Sequence, residues 1–101
     1  MHITSDDIWK RAFKRTIDIV ARKIAGETIL VPITGKLADM QRIFALNPVA
    51  EFIWKQLDGN KKLGEIRDDI LNHFDVEKEQ AETDIQEFIT DMIKEKLIAA
   101  D

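Results

Sequence analysis

The chain has 101 residues, 45% of them hydrophobic, with 15 Lys and Arg against 19 Asp and Glu for a net charge of −4. That length supports one modest core, and no apolar run nears the ~20 residues of a membrane span or resembles a signal-peptide core, so the expected setting is the cytoplasm. With no cysteine, disulfides, thiolate catalysis and cysteine-ligated metals are excluded.

The charge is unevenly placed. Residues 1–47 carry 8 basic and 5 acidic side chains, whereas residues 48–101 carry 7 and 14. In residues 1–15, Thr4 or Ser5 is placed to cap a short helix that stacks Trp9 on Phe13 among Lys10, Arg11, Lys14 and Arg15. Two aromatics bury too little area for a membrane anchor, so this segment is expected to be a terminal arm that lies on its own domain. Residues 16–101 form that domain.

Two β-branched runs, 17–24 and 28–33, broken at Ala25 and Gly26, predict a hairpin. Pro32 has no ladder donor and marks a strand end or an outer edge. After a turn at Thr34 and Gly35, residues 40–46 alternate as a third strand, with Phe44 and Leu46 facing inward.

Residues 46–59, LNPVAEFIWKQLDG, spell out a helix together with its ends. Asn47 caps it, Pro48 takes the first helical position where its missing N–H costs nothing, and Gly59 suits the left-handed residue beyond the end. Val49, Phe52, Ile53 and Leu57 recur at helical spacing, so one face is buried. Leu63, Ile66, Ile70, Leu71 and Phe74 give a second helix its stripe, and Ala81, Ile85, Phe88, Ile89, Met92 and Ile93 give a third. Glu77, Glu79 and Glu82 at the third helix's start, with Lys94 and Lys96 at its end, match the helix dipole. The fold predicted is α+β and winged-helix-like, an N-terminal three-stranded antiparallel sheet followed by three helices.

Catalytic chemistry has little to work with. Tyrosine is absent and the sole serine, Ser5, lies in the arm. Asp69 stands four residues before His73, which reads as an ordinary surface pair, so no metal or cofactor is expected. The scattered glycines form no phosphate loop, and nothing near the carboxylates supplies the burial that raises a pKa.

The helix of residues 46–59, followed by Glu65, Ile66, Phe74, Val76, Ala81, Asp84, Phe88, Leu97 and Ile98 at matching distances, resembles the PqqD-like proteins. These are small peptide chaperones of pyrroloquinoline quinone biosynthesis, and their fold is the leader-binding recognition element of many enzymes that modify ribosomally made peptides. The resemblance covers roughly residues 27–101. Two positions depart from the pattern: Lys62 where relatives often place threonine before the second helix, and Lys96 where they often end the third with glycine.

The resemblance implies a non-catalytic chaperone. The leader of a precursor peptide would add as a strand to Gln41, Arg42, Ile43, Phe44 and Ala45 and lie against Asp84, Ile85, Phe88, Asp91 and Met92. A radical-SAM or other peptide-modifying enzyme would receive it, and the chaperone itself would be a monomer or weak homodimer. The same fold serves many modified-peptide pathways, so pyrroloquinoline quinone need not be the product. The alternatives are a degenerate winged-helix regulator acting through DNA or protein contacts, and a structural dimer joined edge to edge.

Charge separates these readings. A recognition helix over residues 77–96 would carry seven acids against Lys78, Lys94 and Lys96 into a groove walled by phosphates. Micromolar protein is therefore expected to leave mixed duplex DNA unshifted at low salt, where phosphate attraction is least screened. Tight binding that weakens steeply with salt would promote the regulator.

Overall fold

Ala25 and Gly26 both adopt positive φ, +51° and +84°, as the two central residues of a type I′ turn require. This tight turn joins β2 (Ile19–Ile24) to β3 (Glu27–Pro32) in a ladder running from Ile24 opposite Glu27 to Ile19 opposite Pro32. Pro32 closes the strand, where its missing donor does no harm. On the far side of β3 lies β4 (Ala45–Leu46), with Thr28 opposite Leu46 and Ile29 opposite Ala45. The computed structural model describes residues 8–16, 19–32 and 44–100, so the expected strand positions 17–18, 33 and 40–43, the turn at Thr34 and Gly35 and the cap at Thr4 or Ser5 lie outside the described residues.

Asn47 caps α1 (Pro48–Gln56) by accepting from the Ala50 N–H at 2.8 Å, with Pro48 at the first helical position. The chain then turns through β5 (Asp58–Lys62) into α2 (Leu63–His73), followed by α3 (Lys78–Lys94) and β6 (Ile98–Ala100). Asp58 Oδ1 accepts from the Asn60 and Lys61 N–H groups, which hold its carboxyl below the usual carboxylate range. Gly59, at φ +87°, takes the left-handed step expected of it.

A second sheet was not legible in the sequence. Residues 12–15 are not helical; they form β1 (Ala12–Arg15), the middle strand between β5 and β6. Alternation replaces helical spacing there, which drives Phe13 into the core at 1% exposure and leaves Lys14 in solvent. The architecture is thus two small antiparallel sheets and three helices among the described residues, and the likeness to a winged helix is loose.

The core gathers Phe13, Leu30, Phe44, Leu46 and Ile53 with Leu63, Ile66, Ile70, Ile85, Ile89 and Met92 from the two later helices. Residues 9–16 also service the ends of all three helices. The Leu63 and Gly64 N–H groups at the start of α2 donate to the Arg11 and Trp9 carbonyls at 2.9 and 3.0 Å. A side chain at position 64 would bring a Cβ within 3.1 Å of the Trp9 carbonyl, so glycine permits this approach. Arg67 lies over the Trp9 ring at 5.2 Å and pairs with Glu82 at 2.9 Å. At the close of α1 the Arg15 guanidinium donates to the Trp54 and Lys55 carbonyls, and its N–H donates to Leu57.

The departures at Lys62 and Lys96 have different costs. Lys62 offers α2 no acceptor, but Glu65 reaches back to the Lys62 N–H at 2.9 Å and the arm's carbonyls take the first two donors. Lys96 sits at φ +60° in a Schellman motif, its N–H bonding Ile93 and the Leu97 N–H bonding Met92. A non-glycine residue there is strained.

A polar strap ties the first sheet to α1. The Thr28 hydroxyl, 4% exposed with its residue, donates to Glu51 at 2.9 Å, and Lys23 and Lys55 each stand 3.6 Å from the same carboxylate. The threonine bond, then the two lysines, hold the Glu51 carboxyl below its ordinary range against partial desolvation.

Two predictions follow from these contacts. Lys96→Gly should stabilise the domain by about 1 kcal/mol, and Lys62→Thr by only about 0.5 kcal/mol, measured as rises in urea midpoint at constant slope. In Thr28→Val, the Glu51 carboxyl should titrate at higher pH by NMR. A depressed carboxylate stabilises above its unfolded pKa and loses that contribution as pH falls through the folded one, so the stability gap between parent and variant should narrow through that acidic window.

Candidate functional site

Main-chain direction along β4 defines the site. The Leu30 N–H donates to the Phe44 carbonyl at 3.0 Å, and the register continues through Ala45 and Leu46. Bonding alternates along an antiparallel pair, so Phe44 and Leu46 turn their polar groups toward β3 and Ala45 turns its N–H and C=O away from it. Among the described residues β4 is an outer strand of its sheet, which leaves the Ala45 groups facing an open edge.

Side chains alternate as well. Phe44 and Leu46, each 8% exposed, enter the core, and Ala45 is exposed on the opposite face. Immediately after β4, Asn47, Val49, Ala50 and Ile53 from α1 face Asp84, Glu87 and Phe88 from α3 across a groove of about 170 Å³. A second, more open depression of about 370 Å³ continues along α3 between Gln86, Glu87, Thr90 and Asp91. The floor is apolar and the α3 rim is acidic. Asp84 accepts from Gln80 at 2.8 Å, while exposed Glu87 has no ion pair among the described residues.

Of the residues expected to bind a peptide, Phe44 and Ala45 lie on the edge strand, Asp84 and Phe88 line the groove, and Asp91 lines the depression beside it. Gln41, Arg42 and Ile43 lie outside the described residues. Ile85 and Met92 correct the expectation of direct contact: at 0% and 1% exposure they are core, because the i, i+4 and i+7 positions after Ala81 and Ile85 face α2 and the sheets. They support the wall without surfacing in it. The opposite wall was missed. Val49 and Ile53 were read only as a buried face, although their i, i+4 spacing next to the edge strand was the available signal. Glu87 shares a helical stripe with Asp84, Phe88 and Asp91 and was legible by the same rule.

The His73 ring meets the Asp69 backbone carbonyl at 2.9 Å, and the Asp69 carboxylate is taken by Lys61, which also donates to Gln56. No group of three or more potential metal ligands occurs among the described residues, and no helix there is long and apolar enough to cross a membrane.

A solved chain, TbiB1 in complex with the TbiA(beta) leader peptide, is 26% identical with a TM-score of 0.65, covering 87% of this chain and 99% of that one. No curated protein gives a significant match. Residues 27–98 match the family described as coenzyme PQQ synthesis protein D (PqqD). Because that match runs from β3 through all three helices to the first residue of β6, this chain belongs to the PqqD family.

Proposed function

We propose that the chain is a non-catalytic recognition element that binds the leader segment of a ribosomally made precursor peptide as an added strand on β4. It would present that peptide, in the cytoplasm, to a separate modifying enzyme of the radical-SAM or another class. The observation that carries this reading is the outward-facing N–H and C=O of Ala45 beside the groove of Val49, Ile53 and Phe88. An extended peptide bonded to such an edge gains affinity from main-chain groups whatever its sequence, and selectivity from the side chains it turns into the groove. In this reading Gln41, Arg42 and Ile43 lengthen the ladder. The complex of the TbiB1 chain with a leader peptide supports the same partner class. The paucity of nucleophiles and the structural engagement of the Asp69 carboxylate favour binding over catalysis.

The decisive substitution is Ala45→Pro. Proline removes the outward N–H while leaving the bonds of Phe44 and Leu46 to β3, so the fold should persist. Binding of the leader encoded beside this gene should weaken at least about tenfold, whereas Ala45→Ser should bind normally. An NMR titration reads the site, with shifts expected at residues 44–46 and 84–91. Shifts confined to α2, with Ala45→Pro binding as the parent does, would sink strand addition.

A further inference from the structure

The groove is built to choose by charge, in a particular spacing. On α3, Asp84, Glu87, Phe88 and Asp91 form one stripe, with Asp84 about 6 Å along the axis from Phe88 and Asp91 about 4.5 Å on the other side. Half-buried Phe88 lines the groove together with Val49 and Ile53, an apolar seat with the Asp84 and Glu87 carboxylates beside it. Among the described residues no lysine or arginine lines the groove or the depression beside it.

A strand added to β4 has its own period. Directly opposed residues in a sheet share a face, so the residues opposite Phe44 and Leu46 point toward the helices and the one opposite Ala45 points to solvent. Inward side chains therefore recur every second residue, about 6.8 Å apart for a strand lying along α3. That repeat nearly matches the step from Phe88 to the acidic residue a turn away. An apolar side chain seated on Phe88 places one inward neighbour beside Asp84, whichever way the strand runs.

We infer that the peptide this groove accepts carries an apolar residue flanked, two positions away on one or both sides, by lysine or arginine. This rests on the strand-addition reading and names the chemistry of its ligand. Glu87, exposed and shared by the groove and the depression, is the principal residue of charge selection. An acidic leader segment is disfavoured, because its carboxylates would meet Asp84 and Glu87 across a partly desolvated floor.

The test uses three synthetic peptides, acetyl-Thr-Lys-Thr-Leu-Thr-Lys-Thr-amide and its counterparts with glutamine or glutamate in place of both lysines. At low salt the lysine peptide should bind about fivefold more tightly than the glutamine peptide, and the glutamate peptide more weakly than either, with the differences shrinking at high salt. Glu87→Lys, an exposed change that the fold tolerates, should reverse the order of the lysine and glutamate peptides. Equal affinities with amide shifts at residues 44–46, or a preference for glutamate, overturn the charge inference and leave strand addition standing. Binding with no shift at residues 44–46, or no binding of any peptide at millimolar concentration, overturns both.

Discussion

Every helix end leaves backbone groups without partners, and in this domain one short segment satisfies groups at the ends of all three helices. Residues 9–16 lend carbonyls to the start of α2, donors to the close of α1, and the Thr16 N–H and hydroxyl to the Leu97 and Lys96 carbonyls beyond α3. The same segment threads β1 between β5 and β6 and sets Phe13 in the core. A segment whose composition suggested an appendage thus fixes where the helices stand relative to one another.

This arrangement divides the labour between the two sheets. In β5-β1-β6 the middle strand is paired on both sides, and the sheet carries exposed Lys14 on β1 and Lys62 on β5. In β2-β3-β4 the outermost strand is two residues long among the described residues and abuts a groove. The Thr28–Glu51 bond keeps α1 fixed against β3, so the groove's apolar wall and the open edge hold a constant relation. A binding edge is useful only if it is presented rigidly, since ordering it on contact would subtract from affinity.

What the sequence disclosed follows from how local each signal is. The capped α1, the stripes of α2 and α3, the Ala25-Gly26 turn and the inward pair Phe44 and Leu46 are all written in spacings of one to four residues, and each is present. The second sheet is not local. Its β5 reads DGNKK, without an apolar alternation, and its β6 has three residues. Trp9 and Phe13 fit a helical pair as well as a strand, and only the distant partners of β1 decide between them. At the site, Asp84 and Phe88 were legible as helix positions, and the apolar stripe of α3 already allowed two of Ile85, Phe88 and Met92 to be core; which two, Ile85 and Met92, depended on the direction of α3 against its neighbours. Glu87 gave no signal beyond its phase on the helix.

The bond between Thr16 and Lys96 spans 80 residues of sequence, and β1 pairs with a strand that ends at Ala100. During synthesis β1 must therefore wait for β6. The β2–β3 hairpin and α1 can form from neighbouring residues while Phe13 remains without its seat, and closure of β1 against β6 waits for residues 98–100. The outer strand β4 thus belongs to the part able to form early, and the strand that locks the helix ends is completed late. A nascent chain stalled before residue 98 would hold its hairpin but lack the strand that completes β1, leaving a second, sticky unpaired edge.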